Sequence, residues 1–161
     1  MKNNITVFIA VLFFPLIILA QPQKKQPVKE KPPVKQPVPE LKKLLSGTGL
    51  PFKVINDSLA TIPYGGENIT SYQVVVQKIS DLYIIYANLT EALPEKIDET
   101  KYKYLLQQTD HYDVVKIGMN GDDNTVYLRA DIYKMATTTA LLKRIIEQVA
   151  NVTNIIGGDL K

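Results

Sequence analysis

SYQVVVQKISDLYIIYANL, residues 71–89, decides the fold. It contains two runs rich in Val, Ile and Tyr, 72–79 and 82–89, with only Ser80-Asp81 between them. β-branched and aromatic side chains suit the pleated surface of a sheet, and a two-residue connection joins antiparallel neighbours. The stretch therefore predicts a hairpin made of the longest strands of a sheet.

Working toward the N-terminus, 52–55 and 59–64 flank Asn56-Asp57-Ser58, a run of turn formers, and predict a second hairpin that Gly65-Gly66 closes. Before it, Pro39 opens a short helix over 40–46, whose apolar stripe is Leu41, Leu44 and Leu45. Toward the C-terminus, Pro94 breaks extended structure. Asp98 is then placed as the N-cap of a helix carrying Tyr102, Leu105 and Leu106, which should fray by Asp110. A third hairpin joins 114–119 to 125–132 around Asn120-Gly121-Asp122-Asp123-Asn124. In its second strand Val126, Leu128, Ala130 and Ile132 share one face and Thr125, Tyr127, Arg129 and Asp131 the other, the alternation of a half-buried antiparallel strand. A final helix over about 135–150 has Leu141, Leu142, Ile145, Ile146 and Val149 at helical spacing, after which Gly157-Gly158 should loosen the tail. The fold class is α+β: an antiparallel sheet of about six strands with helices packed on one face, in the order α-β-β-β-β-α-β-β-α.

The N-terminal third has a different character. Lys2, the apolar run from Ile5 to Leu19, the late Pro15 and the small Ala20 before Gln21 have the form of an export signal over 1–20. The run is shorter than the roughly 20 apolar residues of a membrane span, which favours cleavage over retention as an anchor. Residues 21–39 form a Pro/Lys-rich linker, an extended spacer reaching on the order of 50 Å at ~3.1 Å per residue. The whole chain carries net +3, but the first 39 residues hold six lysines against one glutamate, so residues 40–161 carry net −2. That excludes a strongly basic nucleic-acid-binding domain and leaves the linker able to touch anionic envelope surfaces. The chain has no cysteine. An exported domain without disulfides must rely on a hydrophobic core, for which about 120 residues suffice.

Three stretches together resemble YbjN-like domains: TGLPFKVINDSLATI at 48–62, SYQVVVQKISDLYIIYANL at 71–89 and VVKIGMNGDDNTVYLRADI at 114–132, the last followed by an amphipathic helix. The resemblance covers nearly all of 40–150. It implies the fold of type III secretion chaperones, an antiparallel sheet held against helices that binds protein segments and performs no chemistry. The signal and linker depart from that pattern and make this chain an exported version, periplasmic or secreted in a bacterium.

Reactive groups are few. The lone His111 stands among turn formers with no oriented partner for general-base work. Asp122-Asp123 lacks the ligand spacing and terminal Glu of a calcium loop, and Gly65-Gly66 lacks the lysine of a phosphate loop. Asn68, Asn88 and Asn151 begin glycosylation sequons that matter only in a eukaryotic secretory route. No catalytic residue, metal or cofactor is expected. What remains is surface: the sheet face away from the helices is expected to carry Tyr127 and Arg129 together with Val75, Tyr83 and Ile85, a set suited to an interface. It would serve a protein partner, or a second copy of the chain in a structural homodimer; a small-ligand carrier is the third alternative.

The mature protein is expected to start at Gln21. Intact-mass measurement of material from its own cells checks this, and retention of Met1 in a membrane fraction would turn the signal into an anchor and the linker into a stalk.

Overall fold

The computed structural model describes residues 40–93 and 96–161. The expected signal over 1–20 and the expected linker over 21–39 lie outside the described residues. The elements run α1 (Glu40–Ser46), β1 (Lys53–Asn56), β2 (Leu59–Tyr64), β3 (Tyr72–Ile79), β4 (Leu82–Asn88), α2 (Leu89–Ala92), α3 (Glu99–Gln108), β5 (Lys116–Met119), β6 (Val126–Tyr133) and α4 (Thr139–Asp159). The six strands form one antiparallel sheet in the order β1-β2-β3-β4-β6-β5. The expected order of elements holds, with one addition. α2 is a single turn, capped by the Asn88 side chain accepting from the Glu91 backbone N–H at 3.1 Å. Asparagine is among the best N-cap residues, so this turn grows directly out of the end of β4.

The central hairpin pairs Ile79 with Leu82, Val75 with Tyr86 and Val74 with Ala87. Its turn places Ser80 at φ +46°, a left-handed conformation that any residue but Gly, Asn or Asp adopts at a cost. The pairing sends Val74, Val76, Tyr83, Ile85 and Ala87 to the side covered by helices, where all are buried. Leu128 and Ala130 of β6 and Ala60 and Ile62 of β2 continue that layer.

α4 is the main cover. The Thr138 hydroxyl caps it by accepting from Leu141 N–H at 3.1 Å, and Leu142, Ile145, Ile146, Val149, Val152 and Ile156 bury one stripe at helical spacing. Lys143 and Glu147 on the opposite face remain half exposed and pair at 3.9 Å. The helix does not loosen at Gly157-Gly158; it continues to Asp159. These glycines are close-approach positions. A Cβ on Gly157 would collide with the Ile69 side chain, one on Gly158 with Asn68, and one on Gly66 with Asn154. The segment between β2 and β3 therefore lies directly on α4. Asn154 Oδ1 accepts there from the backbone N–H groups of Asn68 (3.1 Å) and Ile69 (3.0 Å), which satisfies loop donors that would otherwise be stranded. Tyr72 adds a buried bond from its hydroxyl to Ala150 O at 2.8 Å.

α1 buries Leu41 and Leu45 beside α4, and Glu40 at its start reaches the Lys78 ammonium at 3.1 Å and that of Lys134 at 3.6 Å. α3 begins at the Asp98 cap as expected, with Asp98 Oδ1 accepting from Lys101 N–H at 2.9 Å, and ends in a 3-10 turn over Thr109–His111. Among the described residues no helix is long and apolar enough to cross a membrane.

Ile145 is 4% exposed and faces the sheet. Ile145→Ala should therefore cost about 2–5 kcal/mol, the range for truncating a buried aliphatic side chain, in a denaturant titration; a change on the solvent side of the helix, such as Lys143→Ala, should cost well under that.

Candidate functional site

The sheet face opposite α4 is built from the alternate residues of each strand: Gln73, Val75, Gln77 and Ile79 of β3, Leu82, Ile84, Tyr86 and Asn88 of β4, and Tyr127, Arg129, Asp131 and Tyr133 of β6. Val75, Tyr127 and Arg129 stand on this face, half-exposed. Tyr83 and Ile85 do not. They sit on the helix side, 1% and 0% exposed, and are corrected to core residues. The reason is parity. Because Ser80-Asp81 pairs Ile79 with Leu82, the residues sharing a face with Val75 and Gln77 are Tyr86 and Ile84; a one-residue misreading moves every side chain of a strand across the sheet. Tyr86, Ile84 and Asn88 were thus missed. The polar Gln73 and Gln77 on β3 were the signal, since they mark the outward parity that the two-residue turn passes on to β4.

The geometry around Tyr127 and Arg129 is specific. Tyr127 pairs with Gly118 across β5 and β6, and its ring lies so closely over that glycine that a Cβ there would collide with it. An aromatic ring covering a strand glycine repairs the gap in the sheet surface and leaves the ring little freedom. Arg129 Nε donates to Asp131 Oδ1 at 2.7 Å, beside the Tyr127 ring on the same strand face. The Asp131 carboxylate is the main influence that holds the arginine firmly charged. Both members of the pair are more than a third exposed, so it orients the arginine more than it stabilises the fold.

Two depressions lie on this face. The larger, about 510 Å³, is lined by Gln77, Ile84, Tyr86, Tyr127 and Arg129 and rimmed by the turn 119–123. A second of about 400 Å³ is lined by Gln73, Val75 and Tyr86. Tyr86, Asn88 and Glu91 border both and form the ridge between them. Linings that mix aromatic and aliphatic surface with amide, carboxylate and guanidinium groups can bury the side chains of a peptide and bond its main chain. At the far end of the face Ile79 and Tyr133 are exposed, and Met135 lies just beyond.

A different patch lies between α3 and β5. Tyr102, Leu105, Leu106, Ile117, Met119 and Val126 line an apolar groove of about 350 Å³, where Leu106 is 75% and Met119 52% exposed. β5 is the edge of the sheet here, a strand with one unpaired side.

Elsewhere the chemistry is structural. His111 is exposed and its Nδ1 lies 3.1 Å from Gln107 O. Asp123 Oδ1 accepts from Thr125 N–H at 2.9 Å, a bond that lowers its pKa. Among the described residues no group of three or more His, Asp or Glu is placed to hold a metal ion. The perturbed groups are mostly phenols. Burial raises Tyr72 to about 12, burial together with the adjacent Glu40 raises Tyr83 to about 12, and burial with the Asp159 bond raises Tyr104 to about 12.

No family model matches this chain, and no curated protein does. Solved structures do. A chain of the heterodimeric ExoU–SpcU complex from the type III secretion system of Pseudomonas aeruginosa superposes with a TM-score of 0.51 at 16% identity, over 74% of this chain and 96% of that one. The ExsC–ExsE complex gives 0.52 at 14% identity (74% and 92% covered), and the HopA1–SchA chaperone–effector complex 0.53 at 12% (70% and 89%). The chain has the type III secretion chaperone-like fold. YbjN from E. coli also aligns, at 10% identity and a TM-score of 0.48, a similarity too weak to add to that assignment. At these identities the likeness carries the fold and leaves function to the surface.

The raised phenols have a measurable consequence. In the unfolded chain they ionise near 10, and in the folded one Tyr72, Tyr83 and Tyr104 do so near 12. Their contribution to stability is therefore complete below pH 10 and is lost as pH rises from 10 to 12. An ultraviolet titration should show a late-ionising group of tyrosines, coincident with alkaline unfolding; all phenols titrating together on a still-folded protein would contradict it.

Proposed function

We propose that this chain is a non-enzymatic, chaperone-like protein-binding module exported to the bacterial cell envelope, and that the sheet face bearing Tyr86, Tyr127 and Arg129 is its binding surface. The observation that carries the reading is the preorganisation of that face. Tyr127 is fixed over Gly118 and Arg129 is tethered to Asp131, beside two depressions of mixed polar and apolar lining. Tyr and Arg dominate interface energetics when their conformations are set before binding, because little side-chain entropy is then lost. The structures this fold is similar to were solved as complexes with protein partners, one of them described as chaperone–effector, which supports binding of a protein segment. Export rests on the sequence of residues 1–20, and the linker would hold the domain clear of the surface from which it emerges.

A second reading, self-association, is favoured by the groove beside β5. Leu106 and Met119 project from it next to an unpaired strand edge, and exposed apolar surface of this kind marks contact sites. The groove and the larger depression meet at Met119, but Leu106 lines only the groove and Tyr127 and Arg129 only the depression, so substitutions at these residues separate the two readings.

The test is the double substitution Tyr127→Ala, Arg129→Ala. Neither residue belongs to the buried layer, so the protein should stay folded, its melting temperature lowered only by the uncovering of Gly118. It should lose at least about 2 kcal/mol of affinity for a partner captured from its own envelope, the threshold for an interface hot spot. Unchanged capture and affinity would move the function to the groove, where Leu106→Glu, followed by light scattering, decides whether the chain pairs with itself.

A further inference from the structure

We infer that Asn120-Gly121, at the rim of the larger depression, is a site of spontaneous deamidation that adds a negative charge to this face as the protein ages. Asn120 is followed by glycine, and no other asparagine in the 161-residue sequence is. In the described residues the other asparagines precede Asp57, Ile69, Leu89, Thr125, Val152 and Ile155, whose side chains shield the following backbone nitrogen. Asn151 and Asn154 also lie within α4, where helical geometry holds the main chain.

Asn120 is exposed at the start of the β5–β6 turn, and a Cβ built on Gly121 meets nothing within 4 Å. Asn120 Oδ1 accepts from the Asp122 backbone N–H at 3.2 Å. That bond holds the side-chain amide against the turn backbone and draws electron density from the carbonyl carbon to be attacked.

The reaction balances without a cofactor. Gly121 N gives its proton to solvent and bonds to Asn120 Cγ, the Cγ–Nδ2 bond breaks, and Nδ2 takes a proton from solvent and departs as ammonia, leaving a five-membered succinimide. Water then adds to one of the two ring carbonyls and reopens the ring. Attack at the side-chain carbonyl gives aspartate, and attack at the main-chain carbonyl gives isoaspartate, with an extra methylene in the hairpin backbone. Either product places a carboxylate beside Asp122 and Asp123, in the depression that contains Arg129. The chemistry is independent of the proposed function; only its effect on a partner depends on it.

The experiment holds the full chain at mildly alkaline pH and, in parallel, at mildly acidic pH, and tracks both by peptide mass mapping and anion exchange. Conversion at Asn120 should precede that at every other asparagine, run faster in the alkaline sample, yield both products and shift the protein by one negative charge. Gly121→Ala fits the open turn and should slow conversion roughly tenfold, since a methyl group crowds the attacking nitrogen that glycine leaves bare. Conversion at another asparagine before Asn120, or an equal rate in Gly121→Ala, would overturn the inference.

Discussion

The pairing of β3 with β4 across Ser80-Asp81 is the constraint on which the rest of the molecule depends. With Ile79 opposite Leu82, the parity of both central strands is set, and β2 and β6 inherit it through their own ladders. Val74, Val76, Tyr83, Ile85 and Ala87 then form one uninterrupted apolar layer. A slip of one residue in β3 would expose Val74 and Val76 and turn Gln73 and Gln77 beneath α4, which is why a strand pair so rich in apolar residues still has a single register.

α4 converts that layer into a core. Its buried stripe runs from Leu142 to Ile156, longer than a helix ending near 150 could supply, and the extension is possible because Gly157 and Gly158 admit Ile69 and Asn68 against the helix. Glycine normally weakens a helix interior by about 1 kcal/mol. Here the absent side chains let the segment between β2 and β3 approach, and Asn154 satisfies its backbone donors. Packing outweighs propensity at these two positions.

The open face arises from the same pairing, because every residue turned away from α4 must be tolerated there. Tyrosine, arginine and the amides Gln73, Gln77 and Asn88 are placed where a wholly apolar set would have aggregated and a wholly charged set would have bound little. The face is organised by local contacts, ring over glycine and guanidinium on carboxylate, so its shape exists before any partner arrives. Solved structures of similar fold include complexes with protein partners, and the proposal that this chain binds a protein segment rests on the organisation of this face.

By itself the sequence determined the strands, their hairpins, the α1, α3 and α4 helices, the Asp98 cap and the faces of β6, because each rests on local patterning or turn chemistry. Three things were decided only in three dimensions. The faces of β4 required its partner, since LYIIYAN is apolar on both sides and has no alternation of its own. The end of α4 required the loop that packs on its glycines, and the one-turn helix α2 required β4 to stop at Asn88 so that this side chain could cap the turn beginning at Leu89. Tyr127 and Arg129 were legible as outward residues from alternation alone, whereas Tyr86 and the ridge it forms with Asn88 and Glu91 came into view only when two strands and a turn were brought together. Side-chain period is written in a single strand; which side faces the core is written in the register between strands.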